Sequence, residues 1–345
     1  MAGDAALDLP KTALEAYLGA VVPGFDSALV RWSRLSGGQS NPTYRATTPG
    51  GDFVVRRKPF GTLLPSAHAI EREYRVMAAL VDTPVPVPAV LHLCEDATVI
   101  GAPFYVMTFV AGQVHFDTRL PGHTPAFRRA IVEALVDTLA AIHTVDVAEA
   151  GLADFGRSGG YLQRQTKRWS QQYQASQTAE IPAMDRLIAV LPEALQAVPD
   201  ATCLVHGDYR LDNLCFAQGE ARPLAVLDWE LSTLGHPLAD LTYLLMTWVF
   251  PQDLRWGLGE ADLDALGIPR IEALAARYAE RTGRDALDKL DLLLAYNVFR
   301  MAAILQGVYA RGLAGNASDA AAIGMGRDVP RLAAIALEHA RRAGL

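Results

Sequence analysis

The stretch Val205-His206-Gly207-Asp208-Tyr209-Arg210-Leu211-Asp212-Asn213-Leu214-Cys215-Phe216 sets a histidine, a glycine, two aspartates and an asparagine between two short apolar runs. Runs of this kind, bounded by polar residues, read as brief strands over 202–205 and 214–216, with a third over 224–227. The chain must turn and return between them, and neighbouring strand ends then aim their polar groups into one cleft. Asp228 and Glu230 follow the third run directly, in Leu227-Asp228-Trp229-Glu230. In such a cleft Asp208 can accept a proton from a hydroxyl. Asn213 and Asp228 offer the hard oxygen ligands suited to Mg²⁺ and substrate phosphates. An isolated Asp or Asn after a strand is ordinarily an Asx-turn or a cap. Here the groups recur between strands, and the layout is one for phosphoryl transfer.

The 345 residues suggest two packed domains or lobes, at roughly 150 residues per domain. With 51% apolar and 20% charged residues the chain can fill a large core, which excludes disorder throughout. Thirty-one basic and 38 acidic residues give a formal charge of −7, which disfavours nonspecific binding to nucleic acid or anionic membrane. Cys94, Cys203 and Cys215 are too few and too scattered for a disulfide framework or a cysteine zinc site, and a reducing cytoplasm is expected. The opening Met1-Ala-Gly-Asp-Ala-Ala-Leu-Asp is not a secretory signal pattern. The longest strongly apolar stretch is read around 241–250, short of the roughly 20 residues a bilayer span needs, so no stable membrane insertion is expected. Oligomeric state has no signature in the sequence.

Periodicity and turn residues place a helix over 10–18, a strand, turn and strand over 32–46, and a further strand over 53–56 after Gly50-Gly51. Ile70, Tyr74, Met77 and Leu80 recur at helical spacing in 67–80, and Pro84, Pro86 and Pro88 hold the next segment extended. Strands over 90–94 and 103–109 complete a β-rich first lobe. The linker over 110–113 follows, where Gly112 permits a turn. Helices are expected over 125–143, 162–173, 184–195, 238–250, 271–282, 287–311 and 329–342, and the Ala/Gly-rich 312–326 reads as a loop or bend. The fold class is α+β, with a small lobe over 1–110 that binds nucleotide and a mainly helical lobe over 111–345 that carries catalysis and the acceptor.

The interval Asp208-x-x-x-x-Asn213 is that of a kinase catalytic loop. The wider pattern resembles the aminoglycoside phosphotransferase family, a branch of the protein-kinase-like fold, over about 35–245. His206-Gly-Asp208-Tyr-Arg-Leu-Asp-Asn213 is similar to its catalytic loop and Leu227-Asp228-Trp-Glu230 to its metal-binding segment. The resemblance implies a bilobal protein-kinase-like fold, Asp208 as catalytic base, and Asn213 and Asp228 as metal ligands. Glu230 stands at a second acidic position, reaching the metal directly or through water. Asp240, in Gly235-His-Pro-Leu-Ala-Asp240, is implied to brace the catalytic loop, which His206 also supports.

Leu35-Ser36-Gly37-Gly38-Gln39-Ser40-Asn41 resembles the family's phosphate-covering hairpin. Gly37 and Gly38 would let backbone N–H groups approach phosphate, and Ser40 and Asn41 would add polar contacts. Arg56 stands where the family has a strand lysine, and its fork can grip phosphate in bidentate fashion. Glu73 is the implied partner of that cation. Glu71, two residues away, should face elsewhere. The segment 107–110, with Met107 and Phe109, resembles a hinge at an adenine edge. Its side chains do not separate ATP from GTP, so the expected co-substrate is either one, with Mg²⁺.

Asn41-Pro-Thr-Tyr, Arg56-Arg-Lys-Pro-Phe-Gly, Leu91-His-Leu-Cys-Glu-Asp and Phe104-Tyr-Val-Met are closer to the phosphotransferase-like domain associated with acyl-CoA dehydrogenases in some fusion proteins. That branch implies a small-molecule acceptor, a hydroxy acid or hydroxyacyl-CoA, in preference to an aminoglycoside or another small metabolite. No dehydrogenase domain is expected after residue 345. Arg210, Arg255 and Arg300 are candidates to pair with an acidic acceptor. Trp248, Tyr296, Phe299 and Tyr309 either line its pocket or belong to the core. His115, His206 and His236 do not establish metal-ligand geometry. Arg56 in place of lysine motivates a second reading, a nucleotide-binding pseudokinase or scaffold. Asp208, Asn213 and Asp228 argue against it. There is no G-x-S-x-G turn or H-E-x-x-H helix to support a hydrolase.

Overall fold

The computed structural model describes residues 7–35, 41–61, 68–254, 256–315 and 320–345. The elements of the first part are α1 (Lys11–Val21), β1 (Arg31–Arg34), β2 (Thr43–Thr48), β3 (Gly51–Arg57), α2 (Ile70–Leu80), β4 (Val90–Cys94) and β5 (Phe104–Thr108). The five strands form one sheet in the order β1-β2-β3-β5-β4, with every neighbouring pair antiparallel. Centrality explains β3: flanked on both edges and covered on both faces, it buries Phe53 through Arg57 without a break. Alternation along β5 then sorts the two faces. Phe104 and Val106 join Leu14 and Leu18 of α1 in one core, while Tyr105 faces the larger core that includes Ile70, Val76, Met77 and Leu80 of α2. Those four α2 residues keep a helical period, and Glu73 is buried among them.

Beyond β5 come β6 (Gln113–Val114), α3 (Pro125–His143), α4 (Tyr161–Ser176), α5 (Pro182–Ala194), β7 (Cys203–Val205), β8 (Leu214–Phe216), β9 (Pro223–Val226), β10 (Thr233–Gly235), α6 (Pro237–Leu245), α7 (Leu263–Leu266), α8 (Ile271–Thr282), α9 (Leu290–Leu313) and α10 (Asp328–Arg342). Strands β6-β8-β9 make a small sheet and β10-β7 a ribbon, so the segments before and after the catalytic-loop motif sit in two different pairings. Helix α3 starts where expected because Thr124 accepts from the Phe127 N–H at 3.2 Å and Pro125 takes the first turn. The last helices pack around α9, which touches α4, α5, α6 and α10.

Several expectations need correction. Among the described residues the helix long and apolar enough to reach a bilayer's width is α9, not 241–250. By length and composition α9 could cross a membrane, but 78% of its most apolar window is buried inside the protein. Asp291, Arg300 and Arg311 interrupt its sequence and hide the run from a linear reading. The helix over 238–250 ends at Leu245 and continues as a 3₁₀ turn, Met246–Trp248. Strands β6 and β10 were not expected. Gly112 sits at a bend between β5 and β6, and close approach requires it as well: a Cβ there would lie 2.4 Å from the Phe216 carbonyl oxygen and 2.5 Å from Cys215 Sγ. The residues 316–319 of the Ala/Gly-rich stretch lie outside the described residues, and 320–327 form a 3₁₀ helix. All three cysteines are buried and unbridged.

Candidate active site

Register across the sheet brings the first cluster together. Arg56 on β3 lies opposite Thr43 on β2 and Tyr105 on β5. Its guanidinium is 2.9 Å from Glu73, in an ion contact whose N–H is not aimed at the carboxylate, and 3.4 Å from Thr43 Oγ1. Tyr105 donates to Glu73 at 3.1 Å, and so does the Asn41 amide. Burial pushes the Glu73 carboxyl up to about 7, opposed by Arg56 and reinforced by Asp228 and Glu230. The same carboxylates outweigh desolvation at Arg56 and hold it charged. Glu71 turns away to Lys58 at 2.9 Å, as the two-residue offset requires.

The second cluster is the loop between β7 and β8. Gly207 has φ +85°, and a Cβ on it would meet the Leu231 carbonyl oxygen at 2.6 Å, so only glycine fits between His206 and Asp208. His206 Nδ1 accepts the Asp208 N–H at 3.3 Å, which leaves Nε2 to donate to the Leu227 carbonyl at 2.9 Å. One buried ring thus ties the loop to the segment before Asp228. Asp240, in the first turn of α6, accepts from the N–H groups of His206 (2.7 Å) and Gly207 (3.0 Å) and contacts His143 Nε2 at 3.3 Å. Burial would raise its carboxyl, but these donors outweigh burial and hold it below the usual carboxylate range. Asn213, in a 3₁₀ turn, donates to the backbone oxygen of Asp208 at 2.8 Å and to its Oδ2 at 3.2 Å.

Asp228 joins the two clusters. It sits at φ 63°, ψ 60°, a left-handed conformation uncommon outside glycine. Its Oδ1 accepts from Arg56 at 3.1 Å, and Glu230 Oε2 lies 3.6 Å from the same guanidinium. The Asn213 amide oxygen and the carboxylates of Asp228 and Glu230 are the hard-oxygen donors Mg²⁺ takes. Among the described residues no group of three or more His, Cys, Asp or Glu gathers to hold a metal on its own. The donor set fits an ion that is completed by phosphate oxygens and water.

Other expected contacts are placed differently. Gly37, Gly38, Ser40 and Arg255 lie outside the described residues. Asn41 is fully buried, with its amide engaged by Glu73 and by His68 at 3.1 Å, so it braces Glu73 and does not face a phosphate. Met107 is half-buried in the sheet, opposite Val54. The Phe109 N–H donates to the Asp52 carbonyl at 3.0 Å, which removes it as a donor to an adenine edge. Arg300 is buried and donates to the Gly207 carbonyl at 3.0 Å, so it supports the loop and does not meet an acceptor. Arg210 stacks on Trp256 at 4.5 Å, beside Asp208 at 3.4 Å and Asp212 at 3.2 Å. Tyr296 and Phe299 are core, while Trp248 lines a small cavity with Arg210 and Trp256. His115 packs among His123, Phe127 and Phe216, and His236 contacts the Pro199 carbonyl at 3.1 Å, far from a shared ligand geometry with His206. Sequence reasoning did not single out Tyr243, whose hydroxyl donates to Asp208 Oδ1 at 2.6 Å. Its position three residues after Asp240 on one helix was the signal that could have found it.

The part of the chain that forms this site is matched by known proteins. The model of the phosphotransferase enzyme family covers residues 31–292. Acyl-CoA dehydrogenase family member 10 of Mus musculus is 44% identical over 338 residues, which is 97% of this chain and 32% of that protein, so the chain spans about a third of its relative. A crystal structure from Ralstonia eutropha JMP134, provisionally designated an aminoglycoside phosphotransferase, superposes with TM-score 0.89 and 46% identity over 97% of this chain and 99% of that one. The aminoglycoside phosphotransferase APH(4)-Ia, solved as a thermostable mutant with ADP and hygromycin B, shares the fold at TM-score 0.62 and 14% identity over 95% of this chain and 98% of that one. With its antiparallel small-lobe sheet, its mainly helical remainder and this match through both, the chain belongs to the phosphotransferase enzyme family, on a kinase-like α+β fold.

Proposed function

We propose that this protein transfers the γ-phosphoryl group of ATP or GTP to a hydroxyl of a small molecule, with a hydroxy acid or a hydroxyacyl-CoA as the preferred acceptor. The reading rests above all on one juxtaposition: Asp208 and Asn213 hydrogen-bond each other, and Asp228 reaches across to the Arg56–Glu73 pair. Asp208 orients the acceptor hydroxyl and takes its proton as the new oxygen–phosphorus bond forms and the bond to the leaving diphosphate breaks. Asn213, Asp228 and Glu230 would hold Mg²⁺, which when bound neutralises charge on the phosphate oxygens. Arg56 aligns the phosphates from the small lobe. Retention of all these groups favours turnover over a binding-only role.

For the acceptor, a cavity of about 260 Å³ opens beside the loop, lined by Phe116, Arg119, Leu254 and Trp256 among others. Arg210, stacked on Trp256, connects it to Asp208. Carboxylates at its edge already have arginine partners: Asp117 with Arg119 at 2.8 Å and Asp253 with Arg331 at 2.7 Å. Such a rim has less to offer a polycationic aminoglycoside than an anionic acceptor with an apolar body. The similarity to an acyl-CoA dehydrogenase family member supports the same preference.

The test is a mass-resolved transfer screen with Mg²⁺ and ATP or GTP against hydroxy acids, hydroxyacyl-CoAs, aminoglycosides and small alcohols. A hydroxy acid or its thioester should gain one phosphoryl group with the wild type and not with Asp208→Asn. Phosphorylation of aminoglycosides alone would refute the acceptor assignment. Equal product from Asp208→Asn would refute the base.

A further inference from the structure

Helix α6 grips the catalytic loop at two points on one face. Asp240 holds the N–H groups of His206 and Gly207, and Tyr243, one turn on, reaches the Asp208 carboxylate itself. The two contacts are made by side chains three residues apart, so a single rigid element sets both the path of the loop and the direction of the carboxylate. The helix is in turn fixed on α9, where Asn297 donates to the Ala239 carbonyl at 2.8 Å and to Thr242 Oγ1 at 2.7 Å. Arg300, also on α9, lies over the Tyr243 ring at 4.9 Å and donates to the Gly207 carbonyl. Tyr243 is 6% exposed, packed in the core with its hydroxyl on Asp208.

We infer that Tyr243 is a positioning residue for the phosphoryl-transfer step, holding Oδ1 of Asp208 so that Oδ2 is presented to the acceptor hydroxyl. The inference rests on the proposed role of Asp208. At 2.6 Å the Tyr243–Asp208 contact is the shortest that the carboxylate makes; Asn213 and Arg210 meet the other oxygen at 3.2 and 3.4 Å. A carboxylate held on one oxygen is restrained against rotation about its terminal bond, which narrows the range of geometries an attacking oxygen meets. Burial and the neighbouring charge of Asp208 hold the Tyr243 hydroxyl far above its ordinary range, so it remains a donor. In the reaction the acceptor proton passes to Asp208, while Tyr243 keeps its own proton throughout.

Tyr243→Phe keeps the ring and removes only the hydroxyl. The experiment compares the full chain as wild type, Tyr243→Phe, Asp208→Asn and the double variant, with Mg²⁺ and ATP and the acceptor found in the screen, or water where none reacts. Tyr243→Phe should lower kcat by about 10- to 100-fold, the scale of a hydrogen bond to a charged group. It should leave both KM values and the melting temperature in place, and it should add nothing in the Asp208→Asn background. A wild-type kcat, a loss confined to KM, or a loss that multiplies with Asp208→Asn would overturn the inference while leaving the base assignment standing. Turnover that Asp208→Asn does not lower would remove the base assignment and this inference with it.

Discussion

Arg56 is one cation facing three carboxylates, Glu73 at 2.9 Å, Asp228 at 3.1 Å and Glu230 at 3.6 Å. An ammonium is a point charge, whereas the guanidinium fork presents several N–H groups in one plane, which is how a strand residue can serve α2 and the Asp228–Glu230 segment together. The excess negative charge adds to burial at Glu73, whose carboxyl titrates at about 7 in the fold against roughly 4.3 in an unfolded chain. The folded state therefore keeps a proton that the unfolded state has released. The stabilisation is fully present below the unfolded value and is lost as pH rises through 7. Urea midpoints across pH 5 to 8 should fall more steeply for the wild type than for Glu73→Gln, and parallel curves would exclude the assignment.

At the scale of the element, α6 makes a prediction through Asp240. Asp240→Asn puts an amide NH₂ where one of two backbone N–H donors had its acceptor, and it removes the carboxylate charge beside His143. Breaking a buried, paired site of this kind should cost about 3 kcal/mol, read as a lowered urea midpoint, with turnover falling in parallel. Elements with a long period were legible in the sequence: α3 and α8 keep the bounds that periodicity gave them, and β8 its three residues. The segment that gathers Asp208, Asn213 and Asp228 was legible too, since the three lie within one short stretch and the fold brings Asn213 onto Asp208 and Asp228 onto Arg56. Strands β6 and β10 were not, because two or three residues show no alternation. Tyr243 was not either: its partner is 35 residues away, and an apolar helix offers the same spacing to a purely packed tyrosine. Asn41 was misplaced because a glycine-rich turn suggests phosphate, and only the tertiary fold reveals Glu73 behind it.

Across the whole molecule, α2 joins the sheet to the rest of the chain through Arg72. This side chain donates to the carbonyls of Phe155 at 2.7 Å and Ser232 at 3.3 Å and lies over the Phe155 ring at 4.2 Å. The same helix carries Glu73, so its seat and the alignment of Arg56 are coupled. Arg72→Ala should destabilise the protein by about 2 kcal/mol and weaken nucleotide binding. Calorimetric melting and titration with Mg²⁺ and a non-hydrolysable ATP analogue check this, and unchanged values in both would sever the coupling. The placement of α9 has a consequence for biosynthesis. The residues of the proposed site emerge from the ribosome by Glu230, yet Asn297 and Arg300, which anchor α6 and the loop, come some seventy residues later. A nascent chain halted before Leu290 holds the groups proposed to react and lacks that support from α9, so on this reading competence arrives late, when the helical core closes around its central rod.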